Sequence, residues 1–443
     1  MGDKKHKTTW NPYKGKARQA ELAMELARFN GALSRLHRHQ KYARMSFSPF
    51  TFYRGTAHLF YRDLASEKLI AASRFVDDKT VTWIQGDLHQ GNFGAFADSD
   101  GEIVFDLNDF DESWVSCYLY DIWRGAVSLV LTGRENGFSD KKIHTFLKTF
   151  ANRYLDELAR CEGKDGHGLD QVTVENSHGP LRKFLKKAAK KSRKDMLDKW
   201  TVVRDGERCF DLISARLAPV SDGDARLLRS AISVYKDNLE SDLRGRKGYF
   251  KVLDVAKRLE AGIGSLGTPR YYALIRGEDD TLNTSLILDI KEQSMPSFFP
   301  FLPEEEKQKL LRVFDEERAG LRVAEAQRAM LMDPDKHLGG ITILGHSFSV
   351  RERSPYKKSF KVEKLVEFDD FNEMAHHWGT ILAAAHARAD KDRSELVSHH
   401  LEEEVLELTR GKEDKFTEEI LDFAMGYADQ VEIDHALFLD LTS

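Results

Sequence analysis

Cysteine is scarce in this chain: Cys117, Cys161 and Cys209 are the only 3 in 443 residues, and none lies close to another. That usage excludes a disulfide framework and a cysteine zinc site, and it is the usage expected of a reducing compartment. Long apolar runs are missing as well. No segment approaches the roughly 18 residues that a membrane span needs. The opening Met1-Gly2-Asp3-Lys4-Lys5-His6-Lys7 has no apolar stretch behind it, so no secretory signal is expected. An excess of one charge is lacking too. The 67 Lys and Arg stand against 72 Asp and Glu, a net charge of -5, which gives no sign of nucleic-acid or membrane binding. No internal repeat is visible. What remains is the expectation of a soluble cytoplasmic protein, longer than one typical domain, whose 41% apolar residues suffice for a sizeable core.

The residues suited to chemistry concentrate in Gly86-Asp87-Leu88-His89-Gln90-Gly91-Asn92-Phe93-Gly94. This stretch follows the apolar run Val81 to Ile84, so it reads as a loop leaving a strand. Asp87 and Asn92 stand five apart, the spacing between base and metal ligand in the kinase catalytic loop. Residues 95–110 read as a hairpin turning at Asp98-Ser99-Asp100-Gly101. Its returning strand delivers Asp106, Asn108, Asp109 and Asp111. Such oxygen ligands suit magnesium, which takes few from protein and leaves the rest to water or phosphate. Two other readings stay open at this point. Asp87, His89, Asn92 and Asp109 also suit a two-metal phosphoesterase, and Asp and Asn are ordinary turn formers.

Along the rest of the chain, residues 20–36 have helical periodicity, and Phe47, Phe50, Phe52 and Tyr53 form an aromatic cluster ending at Arg54-Gly55. Arg54 is a weak phosphate candidate. A helix is expected over 118–134, with Asp121 capping or bracing the loop before it. Residues 139–245 read as mostly helical, with a basic stretch over 182–199 read as a solvated face. Near residue 250 the character changes. Gly262, Gly264, Ser265 and Gly267 lie ahead of the strand-like run 270–275, and a further strand, 285–290, ends at Lys291. A Rossmann turn would need a helix after its glycines, whereas glycines leading through strands to a lysine are the kinase arrangement. A long helix is expected over 304–332, two short strands over 341–350, a helix over 370–388 and an acidic helical tail over 400–443.

Taken together, FYRG at 52–55, GDLHQGNFG at 86–94, FDLNDFDE at 105–112, GIGSLGTPRYYALI at 262–275, LDIKE at 288–292, VAEAQR at 323–328 and LAAAHAR at 382–388 resemble a mainly bacterial family, domain of unknown function 2252. That family is in turn similar to the protein-kinase and aminoglycoside-phosphotransferase superfamily, with its parts in another order. The resemblance implies an α+β, two-lobed, circularly permuted kinase-like fold. Residues 1–247 would form the first part of a large lobe. Residues 248–355 would form a small lobe of three to five antiparallel strands with one long helix, and residues 356–443 would complete the large lobe. Permutation is tolerable because chain ends in compact folds are often close. By the same resemblance Asp87 is the base, Asn92 a magnesium ligand and Lys291 the ligand of ATP phosphate. Glu325 is the expected partner of Lys291, with Glu316 and Glu317 as rivals. The second metal ligand is Asp109 or Asp106, with Asp109 preferred, and the role of His89 is structural. The cofactors implied are ATP and Mg²⁺ or Mn²⁺, and the function implied is phosphotransfer to an unidentified hydroxyl on a small molecule or protein. Nucleotidyl transfer and a nucleotide-binding pseudokinase are the alternatives on that fold.

Overall fold

The computed structural model describes residues 8–163, 171–213, 216–239, 241–259, 267–278 and 283–442. It is a mixed α+β structure in which small antiparallel sheets accompany a larger helical part. No described helix is long and apolar enough to cross a membrane.

The helical part is centred on Leu119–Glu135, a helix buried on nearly every side from Leu119 to Gly133. A helix buried all round lies inside the core, and its few polar side chains must find partners there. The helices Asp140–Cys161 and Glu413–Thr442 pack against it, and Phe368–Arg388 lies along Asp140–Cys161. Gly15–Phe29 joins Glu413–Thr442 through Arg18. Its guanidinium, 3% exposed, is shared by Asp63 and Asp434 at 2.7 and 2.6 Å.

Two short sheets sit on this helical frame. Val81–Ile84 pairs antiparallel with Trp114–Cys117. Phe93–Ala97 pairs with Ile103–Leu107 across the expected turn, where Asp98 Oδ1 accepts from the amides of Asp100 and Glu102. Lys358–Ser359 adds a third strand to that hairpin.

The largest sheet has six strands rather than three to five, all antiparallel, in the order Gly339–Ile343, His346–Glu352, Leu286–Gln293, Arg270–Ile275, Val252–Arg258 and Leu217–Ala218. Period two places Leu286, Leu288 and Ile290 in one apolar cluster with Ile232, Tyr235 and Val350. Ile287 falls in the opposite cluster, with Met196, Trp200, Tyr272 and Leu274. Asp289, Lys291 and Gln293 share the face of Ile287, so the sheet points its lysine toward the hairpin.

Residues 139–245 are mostly helical, as expected, with short strands among the helices. Thr201–Arg204 and Glu207–Phe210 form a hairpin. Its turn residues Asp205 and Gly206 both have positive φ, 50° and 80°, the backbone of a type I′ turn. The strand Leu217–Ala218 also comes from this region. The long helix over 304–332 divides into Glu304–Val313 and Ala319–Met330, because Phe314 is buried and Asp315 caps the amide of Arg318. The tail divides at Gly411, φ 67°, into Leu401–Thr409 and Glu413–Thr442.

Ala319–Met330 lies so close to the sheet that a Cβ on Gly320 would come within 2.2 Å of the Phe348 carbonyl. Gly320→Ala therefore sets helix propensity, which favours alanine by about 1 kcal/mol, against overpacking, which costs about 1–3 kcal/mol. The backbone cannot yield as a flexible side chain would, so urea unfolding should show a net loss of stability.

Candidate active site

Asp121 fixes the Gly86–Asn92 loop from below. Its buried carboxylate accepts from the amides of Gln85 at 2.6 Å and Gly86 at 2.9 Å. His386 Nε2 lies 3.3 Å away, and Tyr154 hydroxyl holds the other ring nitrogen at 2.9 Å. Gly86 has φ +84°, and a Cβ there would meet the Glu112 carbonyl at 2.0 Å. Only glycine tolerates both the left-handed backbone and the close approach. The loop thus leaves the strand at one angle, with Tyr61 hydroxyl closing on the Gly86 carbonyl at 2.6 Å.

Asp87 projects from this loop with its side chain 18% exposed. Arg124, fully buried one turn beyond Asp121, donates its Nε to Asp87 Oδ1 at 2.7 Å and its Nη2 to the same oxygen. The rings of Tyr53 and Phe60 support that guanidinium at 4.2 and 5.3 Å. Burial pushes the Asp87 carboxyl up to about 6, against the pull of Arg124 and with a further push from Glu112. Asn92 donates its amide to the Asp87 carbonyl at 3.0 Å, which directs Asn92 Oδ1 away from that bond. His89 accepts from Arg54 Nε at 3.3 Å and lies 4.0 Å from Asp87 Oδ2. Burial, with Arg54 and Arg124 beside it, holds the imidazole well below its usual range, hence neutral.

The exit of Ile103–Leu107 carries the other carboxylates. Asp106 is 6% exposed and accepts from the Leu107 amide at 2.7 Å. Burial raises its carboxyl to about 6 although Arg388 pulls it down. Gln85 joins Asp109 to the loop, donating to the Asp109 carbonyl at 2.7 Å while accepting from the Asp87 amide at 2.9 Å. The carboxylate of Asp109 faces the cations Arg54 and Lys357. Asp111 meets the sheet. Its Oδ2 pairs with Lys291 Nζ, and its Oδ1 accepts from Gln293 Nε2 at 2.9 Å. Burial pushes Asp111 up, but the ammonium and its hydrogen bond outweigh burial and hold the carboxyl well below the usual range. Lys291 and Asp111 are 180 residues apart in the chain.

Glu325 does not reach Lys291; it pairs with Arg328 at 2.6 Å. The helix Ala319–Met330 supplies Arg322 instead. That fully buried guanidinium donates to the carbonyls of Asp111 at 2.8 Å, Ser294 at 3.0 Å and Ser113. Gly262, Gly264 and Ser265 lie outside the described residues. Gly267, φ +84°, lies against His37 and Leu33, where a Cβ would find atoms at 3.0 and 3.3 Å. Beside Asp289 a cavity of about 550 Å³ opens between the sheet, the hairpin 96–101 and residues 351–357. Arg270, Arg351, Arg353, Tyr272 and Lys357 line it.

The family described as an uncharacterized protein conserved in bacteria (DUF2252) matches residues 36–441. The chain belongs to this family. No curated protein and no solved structure matches it.

In this DUF2252 chain Gln85 joins Asp87 to Asp109, Asn92 bonds the Asp87 carbonyl, and Lys291 pairs with Asp111, while Asp106 lies near Arg388. Arg124, Asp111 and Arg322 carry contacts that sequence reasoning did not assign. For Asp111 a signal existed, since it belongs to the same acidic run as Asp109. For Arg124 and Arg322 nothing local distinguishes them from surface arginines.

The shift at Asp87 has a sign that can be measured. Its carboxyl titrates near 3.8 in the unfolded chain and near 6 when folded. Its favourable contribution is complete below the lower value and lost as the pH rises through the higher one. Asp87→Asn should therefore gain stability relative to the parent between about pH 4 and about pH 7. Paired thermal melts at the two pH values give the difference, and a constant offset would mean that Asp87 titrates normally.

Proposed function

We propose that this chain is a Mg-ATP-dependent phosphotransferase of kinase-like, circularly permuted architecture, acting on a hydroxyl acceptor. The observation that carries the reading is the Lys291–Asp111 ion pair. It joins a lysine on a strand behind a glycine-rich segment to the carboxylates beside Asp87. Those carboxylates, the Asn92 oxygen and an ammonium are the donor types that a magnesium triphosphate requires.

Bound Mg-ATP would supply the phosphoryl group and neutralise its developing charge. Asn92, with Asp109 or Asp111, would hold the metal. Asp106 faces Arg388 and its own strand, which suits bracing better than coordination. Lys291 would exchange its bond to Asp111 for phosphate oxygens. The cavity beside Arg351 and Tyr272 falls within the usual range for small-molecule sites, about 300–1,000 Å³. Asp87, its second oxygen not engaged by Arg124, would take the proton of the acceptor hydroxyl. General-base action of that kind contributes about 10²–10⁴-fold. A carboxyl near 6 is ionised at neutral pH while remaining a better base than an ordinary aspartate.

The two-metal phosphoesterase reading is less well supported. His89 would have to bind a dication while Arg54 and Arg124 flank it, and two guanidiniums oppose added positive charge. Nucleotidyl transfer would use the same residues, and a pseudokinase would have no use for a poised Asp87.

A thermal-shift titration with ATP, alone and with Mg²⁺ or Mn²⁺, tests nucleotide binding directly. The metal complex should stabilise more than ATP alone. Lys291→Ala should weaken that shift, and Asp87→Asn should keep it while abolishing transfer. Turnover in the parent should fall below about pH 6 as Asp87 takes up a proton. Absence of any nucleotide shift at millimolar concentration would sink the reading.

A further inference from the structure

The first helices of the chain hold cations that the proposed transfer does not use. Lys41 is 5% exposed. Its ammonium donates to Asn30 Oδ1 at 2.8 Å and sits 4.8 Å from the Phe29 ring centre. Among the described residues no carboxylate forms an ion pair with it. His58 is 0% exposed and stacks on Phe29 with centroids 3.8 Å apart, and neither of its ring nitrogens has a hydrogen-bond partner. The largest charges acting on that imidazole are positive: Lys41, Arg28, Arg124 and Arg62. Arg62 has one guanidinium nitrogen, Nη1, buried without a partner, while another reaches Glu21 at 3.6 Å.

Burying an ammonium without a carboxylate, next to an unsatisfied imidazole, is strongly unfavourable. Buried polar groups are otherwise almost always paired, and exceptions mark a function or a bound ion. Of the cations near the ring, Arg28 pairs with Glu25, Arg124 with Asp87 and Arg62 with Glu21, which leaves the Lys41 ammonium and the free Arg62 Nη1 to be answered by added negative charge. The acids that Lys41 faces are Glu112 and Asp87. Glu112 is already engaged by the Ser297 amide at 2.6 Å, and Asp87 by Arg124.

We propose that Lys41, His58 and Arg62 bind a small oxyanion, the phosphate or carboxylate of the acceptor, beside Asp87. Only the word acceptor rests on the transfer reading; the oxyanion site itself does not. Arg124 links the two, since it both holds Asp87 and faces His58. An acceptor anchored by its anionic group in this cluster would present a neighbouring hydroxyl to Asp87. The acceptor class is then a compact hydroxy compound carrying a phosphate or carboxylate.

Calorimetric titration with inorganic phosphate and, separately, with acetate tests the site on the parent, Lys41→Met, His58→Phe and Lys291→Ala. Phosphate binding should survive Lys291→Ala and weaken about ten- to a hundredfold in Lys41→Met, the loss expected for a charged hydrogen bond. Tighter binding of acetate than of phosphate would assign the carboxylate. Lys41→Met should also melt higher than the parent without ligand, because it removes a buried unpaired charge, and that result shows that the variant folds. If Lys41→Met misfolds, His58→Phe, which fills the same volume, serves in its place. Phosphate and acetate binding unchanged in both variants, or absent from the parent, would overturn the proposal. A missing Mg-ATP shift with intact oxyanion binding would instead remove only the transfer reading.

Discussion

Asp121 is a carboxyl group that water cannot reach, and two backbone amides answer it. A buried carboxylate persists only if it is fully hydrogen-bonded, so the position of Gln85 and Gly86 follows from the position of helix Leu119–Glu135. The same helix presents Arg124 one turn later, and Arg124 aims Asp87. His386 at the end of Phe368–Arg388 touches the same carboxylate, and Thr82 on the preceding strand binds that helix's last carbonyls at 3.0 Å. Three elements distant in sequence thereby share one electrostatic requirement. A change at Asp121 would be felt at Asp87 without any contact between them.

The sheet is attached to this frame by charged contacts as well as by the close packing of Ala319–Met330. Lys291 reaches Asp111, and Arg322 reaches three carbonyls of the facing segments. Burial lowers the Arg322 guanidinium to about 10, with Glu112 and Asp111 pulling the other way. Such contacts fix register tightly but gain little once desolvation is counted. On the proposed reading they are also exchangeable, a phosphate or a metal replacing one partner. The apolar clusters on the sheet's two faces are separate from the main helical core, so such an exchange need not disturb either.

Much of this was legible in the sequence, and the reasons are local. Turn formers and alternating apolar residues marked the loop and the hairpin, and Asp121 sat where a helix start can brace the loop before it. Asp205-Gly206 also carried a hairpin signal, but helical periodicity on both sides masked it. Asp315 carried a capping signal inside a run that otherwise continues as helix. What local signals could not show was partnership across the fold. Nothing near Lys291 names Asp111 over Glu325, because that choice depends on how the Ala319–Met330 helix rotates against the sheet. Gly320 and Gly340 set this rotation by close backbone approach, and approach of that kind is invisible to periodicity.

The floor of the cavity beside Asp289 narrows what can bind there. Asp289 stands two residues before Lys291 on the same face, held by Arg270 Nε at 2.6 Å and 4.0 Å from Arg351. Burial pushes its carboxyl up, but the two guanidiniums hold it well below the usual range. Arg353 stacks over Trp200 and Tyr272 at 4.6 and 5.7 Å, so one wall is a guanidinium plane rather than an aliphatic surface. Lys357, brought down to about 7 by burial and by Arg351, completes a rim of positive charge near Asp109. A ligand entering this space gains little from apolar contact and much from donors and acceptors at fixed positions. Any ligand held here would be selected by hydrogen-bond pattern and charge, and Lys291, two residues along the same strand from Asp289, extends that field rather than opposes it.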